Sequence, residues 1–411
     1  MERLLRGVYP ERSRRARNDT GEQRKSLECP YSDPTVTRYD VIVLGLGGMG
    51  SAALFHLARR GVKVLGLERY DIPNSMGSSH GVTRIIRLAY YEHPSYVPLL
   101  VRAYELWHQL ENSCGRRLLI TTGSIDVGPK GSDLVEGSRS SCQIHNLPYE
   151  ELDGVQVNLR FPGYGLPADF EAIYQPDGGF LLPEECILAH VTGALESGAE
   201  VHGREQVLDW EELSGGVVVR TDRATYRAEK LVVCAGSWTY KLVPQLAGLA
   251  VPERQVVAWF QPRQPQQFQP QEFPVFNLQE SGGRFYGLPI YGVPGFKVGC
   301  YHHLHQTVDP DGMDREPHAE DEELLRGLVK RCFPNADGPT LSLQTCLFTN
   351  TPDEHFILDA HPQFERVWVA AGFSGHGFKF SSVVGEIMAD LVQQASSRHD
   401  LGLFRMGRFQ S

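Results

Sequence analysis

Regular patterning begins at Tyr39. Asp40-Val41-Ile42-Val43-Leu44 is a short apolar, β-branched run, and Ser51-Ala52-Ala53-Leu54-Phe55-His56-Leu57-Ala58 carries apolar residues at helical spacing. Gly61 ends that predicted helix, and residues 62–68 read as the next strand. Together they make a βαβ unit of about thirty residues. Val97, Leu100, Val101, Tyr104 and Leu110 predict a further helix over 96–110. Strands are predicted over 216–221 and 230–234, and residues 262–272, rich in Gln and Pro, read as a surface loop. Val367-Trp368-Val369-Ala370-Ala371 reads as a buried strand, followed by a Gly-rich turn and a helix over about 381–395. No internal repeat is visible.

The first turn carries candidate chemistry. Gly45-Leu46-Gly47-Gly48-Met49-Gly50 is a G-x-G-x-x-G pattern with a strand before it and a helix after it. Glu68 stands eighteen residues beyond Gly50, at the end of the next strand. Glycines there let a pyrophosphate approach the backbone at the helix N-terminus, and an acid at that distance accepts from ribose hydroxyls. The acid also repels a 2′-phosphate, which disfavours NADP. The motif by itself does not separate FAD from NAD. Downstream, Ser78-Ser79-His80-Gly81-Val82-Thr83-Arg84-Ile85-Ile86-Arg87 places two arginines three residues apart. Arginine grips a carboxylate through two parallel hydrogen bonds, so this loop is a candidate anion site.

Composition narrows the class. The chain has 411 residues, 41% hydrophobic and 22% charged, as an ordinary globular chain does. No run approaches the roughly 18 consecutive apolar residues of a membrane span, so no membrane partner is expected. Fifty acidic against forty basic residues give −10, which disfavours nucleic acid. The first 39 residues hold nine basic and six acidic side chains, so the rest is more acidic still. Residues 1–38 read as a disordered basic tail. A transit peptide is argued against by Glu2, Glu11, Asp19 and Glu22, and no secretory signal is present. Eight cysteines are scattered singly without C-x-x-C spacing, which points to a reducing cytoplasm.

Four segments together resemble the monomeric sarcosine oxidase family, which includes N-methyltryptophan and pipecolate oxidases. They are Gly45–Gly50, the run from Gly77 to Arg87, Asp353-Glu354-His355-Phe356-Ile357-Leu358-Asp359, and Gly372-Phe373-Ser374-Gly375-His376-Gly377-Phe378-Lys379-Phe380. The resemblance runs from about Tyr39 to Phe409. It implies an α/β fold: a glutathione-reductase-like Rossmann FAD-binding domain from 39–115, 177–250 and 343–411, and a substrate domain with a mixed β-sheet from 116–176 and 251–342.

It also implies FAD, a secondary amino acid and O2 as small-molecule partners, and a monomer. Cys346 matches the cysteine that bonds the flavin's 8α-methyl group. Lys297 matches the lysine that activates oxygen, since positive charge stabilises a superoxide-like species. Arg87 and Lys379 match the pair that holds the substrate carboxylate, Arg84 the arginine against the flavin ring, and Tyr286 an active-site tyrosine. Ser79, His80 and Val207 fall among the cofactor-binding positions. Gly375-His376-Gly377 would present backbone amides to the pyrimidine end of the flavin, next to the following helix's positive end.

Two positions depart from the family pattern. The family's active-site histidine lies four residues after the lysine, whereas His302 is five after Lys297. A β-bulge at Gly299-Cys300 would return His302 to the site face, which is the favoured reading; otherwise Tyr301 points inward. Phe348 stands where the family often has tyrosine, which removes a hydroxyl from the cavity. His302-His303-His305 is not expected to bind metal, because in a strand only two of them share a face and no further ligand comes before Asp309. The expected reaction is oxidative demethylation, with N-methyltryptophan or pipecolate as alternative substrates. A flavin dehydrogenase using a carrier protein is the neighbouring alternative, and a flavin-binding scaffold without turnover is disfavoured by the presence of both Arg87 and Lys379.

Overall fold

The computed structural model describes residues 37–409. The βαβ unit forms where its pattern places it, as strand Arg38–Leu44, helix Gly48–Arg59 and strand Val64–Leu67. Gly45 has φ of +83°, and a Cβ on Gly50 would overlap the Gly45 carbonyl oxygen. Only glycine closes so tight a turn. The two strands pair in parallel, and Thr225–Val233 and Glu200–His202 extend the sheet on either side. Val367–Ala371 and Ile357–Ala360 add one edge, and the hairpin of Val207–Leu213 and Gly216–Thr221 adds another.

The central strands are almost wholly apolar, as a sheet covered on both faces requires. Helices Gly48–Arg59, Val97–Cys114, Pro183–Glu196 and Ser381–Gln394 pack into one core cluster. A second cluster, with Ile42, Leu44, Leu231 and Val367, covers the other face. The predicted loop over 262–272 holds a 3-10 turn, Pro265–Phe268, because Phe268 drops into the core and is fully buried.

A second eight-stranded sheet runs in the order Thr340–Asn350, Val251–Phe260, Phe296–Cys300, Gly283–Leu288, Val275–Glu280, Ser124–Pro129, Phe170–Gln175, Glu150–Asp153. Its neighbours are antiparallel except the parallel pair of Val275–Glu280 with Ser124–Pro129, so the sheet is mixed. Thr340–Asn350, which spans the boundary expected at 343, pairs with Val251–Phe260 as far as Asn350. A small third sheet joins Arg84–Ile86 and Leu119–Thr121 through Gly179–Leu181.

One face of the second sheet packs Phe260, Phe276, Phe285 and Phe296 against Phe273 and Phe333. Each buried phenylalanine contributes roughly 1.5–3 kcal/mol, so this face anchors the sheet. Strand side chains alternate, and Lys297, Gly299, Tyr286, Leu288 and Cys346 therefore belong to the opposite face.

Both sheets lie within one compact unit. Among the described residues no helix is long and apolar enough to cross a membrane. The tail expected over 1–38 lies outside the described residues except Thr37 and Arg38, and Arg38 already pairs in the first sheet.

Candidate active site

A cavity of about 350 Å³ opens beside the first βα turn, lined among others by Gly45, Gly47, Glu68, Ser79, Val207 and Gly375. It continues past Arg84 and Gly377 to Leu347, Phe348 and Thr349 of the second sheet. A Cβ on Gly47 would meet nothing closer than the Ser79 hydroxyl, 4.0 Å away, so the turn offers bare backbone to a ligand. Ser79 Oγ accepts from the Gly48 amide at 3.3 Å. The Glu68 carboxylate takes one amide on each oxygen, Leu46 at 2.8 Å and Tyr70 at 3.0 Å. Each oxygen keeps a lone pair for a ribose hydroxyl. Burial raises the Glu68 pKa, and the two amides oppose that shift.

Cys346 is buried a residue short of the cavity-lining Leu347 and Phe348, opposite Gln255 in the ladder. Burial pushes its thiol up, while Arg84 and Lys297 pull it down, so it sits in a positive field. Arg84 is anchored through the Ser78 carbonyl at 2.7 Å and the Thr83 carbonyl at 2.9 Å. His80 is buried with no partner for Nε2, and burial then Arg84 hold its imidazole down at about 3. A neutral histidine with an orphaned ring nitrogen, a glycine cradle open to the cavity and an acid at its ribose end together fit a flavin dinucleotide. Gly50, His80, Cys346, His376 and Lys379 stand behind the cavity wall rather than on it.

Lys297 projects from the second sheet onto the loop that follows the fingerprint. Its Nζ donates to the Gly81 carbonyl at 2.6 Å, the Thr83 carbonyl at 2.9 Å and the Thr83 hydroxyl at 3.3 Å. It also lies 5.1 Å from the Trp259 ring centroid. Burial and then Arg84 hold its pKa well below the usual lysine value. Three acceptors nonetheless suit the three N–H bonds of an ammonium. Glu184 fixes that loop by accepting from the Gly81 and Val82 amides at 2.7 and 3.1 Å.

Arg87 and Lys379 meet around one ring. The Arg87 guanidinium carbon is 4.5 Å and the Lys379 Nζ 5.2 Å from the Tyr90 centroid. Arg87 is not an open clamp: it donates to both Glu92 oxygens at 3.0 and 2.8 Å and to the Ala89 carbonyl, and lies 3.6 Å from Asp126. Burial alone would lower its pKa, but Asp126 and Glu92 hold it well above the usual arginine value. Glu92 would be raised by burial, yet Arg87 brings it down to about 2. Lys379 donates to the His376 carbonyl at 2.7 Å, and burial followed by Arg87 lowers it to about 7.

Two expectations are corrected here. The His376 amide donates to the Phe373 carbonyl at 3.0 Å, so it is not free for a flavin. Its ring meets the Tyr90 hydroxyl at 2.5 Å and the Glu354 carbonyl at 2.9 Å. A carbonyl only accepts, so Nε2 carries the proton and Nδ1 accepts from Tyr90. The expected bulge is absent, since the ladder runs in register through Tyr286–Gly299 and Phe285–Cys300. The strand ends at Cys300, and Tyr301 continues its alternation, with its ring 5.3 Å from Tyr286 and 5.9 Å from Phe348. His302 turns away at φ 53° and sits between Glu253 at 3.1 Å and Glu354 at 2.9 Å. Those hydrogen bonds, Glu253 first, raise it to about 9. His303 faces Asp321 at 2.8 Å in the core.

Sequence reasoning missed Glu92, Asp126 and Glu184, and gave Tyr301 as the alternative to His302. Asp126 and Glu184 act across long stretches of chain, and Glu92, five residues after Arg87, lies in no motif that marks it.

Comparison with known proteins agrees with this geometry. The profile of the FAD dependent oxidoreductase family matches residues 40–391. A monomeric sarcosine oxidase of Streptomyces avermitilis is 42% identical over 371 residues, 89% of this chain and 96% of that protein. An N-methyl-L-tryptophan oxidase of Yersinia pestis is 34% identical over 90% of this chain and 100% of that protein. Among solved structures, NikD, described as an unusual amino acid oxidase essential for nikkomycin biosynthesis, superposes at TM-score 0.77. It is 28% identical and covers 90% of this chain and 97% of its own. Glycine oxidase of Geobacillus kaustophilus shares the fold at TM-score 0.75 and 21% identity. With a family match over most of its length, the chain belongs to the FAD-dependent oxidoreductases.

Proposed function

We propose that the protein oxidises N-methyl and other secondary amino acids with O2 as electron acceptor. The observation that carries this reading is the meeting of Arg87 and Lys379 on the Tyr90 ring. Lys379 is adjacent in sequence to Phe378, which with Gly377 lines the cavity. The pair binds the substrate carboxylate: Lys379 has N–H bonds beyond the one on His376, and Arg87 shares itself between substrate and Glu92. Nearby positive charge and burial favour the neutral amine over its ammonium, and only the neutral amine can be oxidised.

When bound, the flavin supplies the two-electron acceptor. Overall, an N-methyl amino acid, O2 and water give the primary amino acid, formaldehyde and hydrogen peroxide. Two hydrogens leave the N–CH3 group for oxygen, and water supplies the aldehyde oxygen. Arg84 would lie against the flavin ring, Lys297 would provide charge where oxygen is reduced, and Cys346 would hold the cofactor covalently. Tyr286, Tyr301 and Phe348 wall the substrate from water. The free cysteines fit a reducing cytoplasm, and the enzyme acts as a monomer.

Incubation with sarcosine in air tests the reading by product analysis. Glycine, formaldehyde and peroxide should appear in equal amounts. Dye reduction without peroxide would assign a dehydrogenase instead.

A further inference from the structure

We propose that Arg284 forms a second anion subsite, and that the preferred substrates are secondary amino acids with an acidic side chain. This rests on the amino-acid oxidase reading above and specifies its substrate class. Arg284 lies two residues before Tyr286 on the strand Gly283–Leu288, so both belong to one face. The neighbouring strand keeps that face in register: Tyr286 opposes Gly299, and the Tyr301 amide donates to the Arg284 carbonyl at 2.8 Å. A line therefore runs from Lys297 and Leu288, through Gly299 and Tyr286, to Tyr301 and Arg284. Each step is roughly 6.6 Å along the strands.

The guanidinium at the outer end lies near two rings. Its carbon is 4.8 Å from the Tyr91 centroid and 6.0 Å from that of Tyr301. Arg87 lies over the same Tyr91 ring at 4.5 Å. The two guanidinium carbons are thus no farther apart than those two Tyr91 distances combined, a span that a four- or five-carbon dicarboxylic amino acid bridges.

A cavity of about 200 Å³ opens at Arg284, lined also by Tyr91, Glu92, Asp133, Glu354 and His355. Its remaining carboxylate is Asp353. Three of the four acids are already paired, Glu92 with Arg87, Asp353 with Arg408 and Glu354 with His302. The fourth, Asp133, is exposed in the first turn of helix Asp133–Ile144. Among the described residues no carboxylate lies within ion-pair distance of Arg284; burial would lower its pKa, but Tyr91, Tyr301 and, at longer range, Glu92 raise it. A planar donor fork facing a cavity, with no carboxylate in direct contact, is completed by a ligand carboxylate.

The test compares N-methyl-L-glutamate with its near-isosteric amide, N-methyl-L-glutamine, with sarcosine alongside. For the wild-type enzyme kcat/KM should favour the glutamate by about tenfold or more, the usual margin of a charge-assisted contact. Arg284→Leu should collapse that ratio, and Arg284→Lys should retain part of it. A wild-type ratio near one overturns the subsite while turnover of sarcosine leaves the oxidase reading standing. If none of the three reduces the flavin, the oxidase reading fails and the subsite with it. The wild-type ratio decides even if Arg284→Leu does not fold.

Discussion

Lys297 and Lys379 are both buried lysines with lowered pKa, yet their surroundings differ. Lys297 has three protein acceptors and Lys379 one. Lys297 is thus fixed on the loop that follows the fingerprint, and Lys379 keeps donors for a ligand. Lys297→Met should slow flavin reoxidation by O2 far more than anaerobic reduction by substrate, as stopped-flow traces of the two half-reactions would show. Equal slowing of both would remove the oxygen role. Lys379 falls from the usual 10.5 to about 7, so its ammonium prevails below that pH and is lost as pH rises through it. Binding of methoxyacetate, an ether analogue of sarcosine that the enzyme cannot demethylate, should therefore weaken above about pH 7. Lys379→Met should flatten that dependence, and a wild-type affinity constant to pH 9 would contradict it. Lys379 was legible in the long motif 372–380, and Lys297 through the family resemblance. Their partners were not: Glu184 lies 103 residues from Gly81 in the chain, and Asp126 reaches Arg87 from another sheet.

At the scale of elements, the site is where one strand of the second sheet stops. The sequence carries an extra residue after Lys297, and a bulge would have absorbed it. The strand ends instead, because His302 adopts a left-handed conformation and is drawn between two glutamates. Tyr301 keeps the inward phase. The family resemblance pointed to Lys297 and Tyr286, while the strand's end depended on Glu253 and Glu354, which no periodicity reveals. Tyr301→Ala should change kcat/KM for the best substrate by a larger factor than His302→Ala. The reverse order would mean that His302, not Tyr301, faces the substrate. The βαβ turn was legible nearly to the residue, since its glycines are required by geometry that allows no side chain.

At the scale of the whole molecule, the cofactor cavity takes its walls from both sheets. Gly45, Gly47 and Glu68 come from the first, and Leu347, Phe348 and Thr349 from the second. Bound flavin should therefore stabilise the protein as a unit, by about 2.7 kcal/mol at a hundredfold excess over Kd. Cys346→Ser should release the flavin on denaturation, where the wild type keeps its colour on the chain. The stripped variant should melt a few degrees lower and recover on adding FAD; a melting temperature indifferent to FAD would contradict the shared cavity. The two-sheet architecture followed from motifs, but the strand carrying Cys346 belongs to the second sheet, a long-range pairing that local pattern did not show. The central claim is tested most directly by mixing the yellow protein with excess sarcosine or N-methyl-L-glutamate without oxygen, then admitting air. Bleaching of the flavin, followed by its return with peroxide, is the predicted result. A flavin that stays oxidised with every secondary amino acid offered would contradict the account.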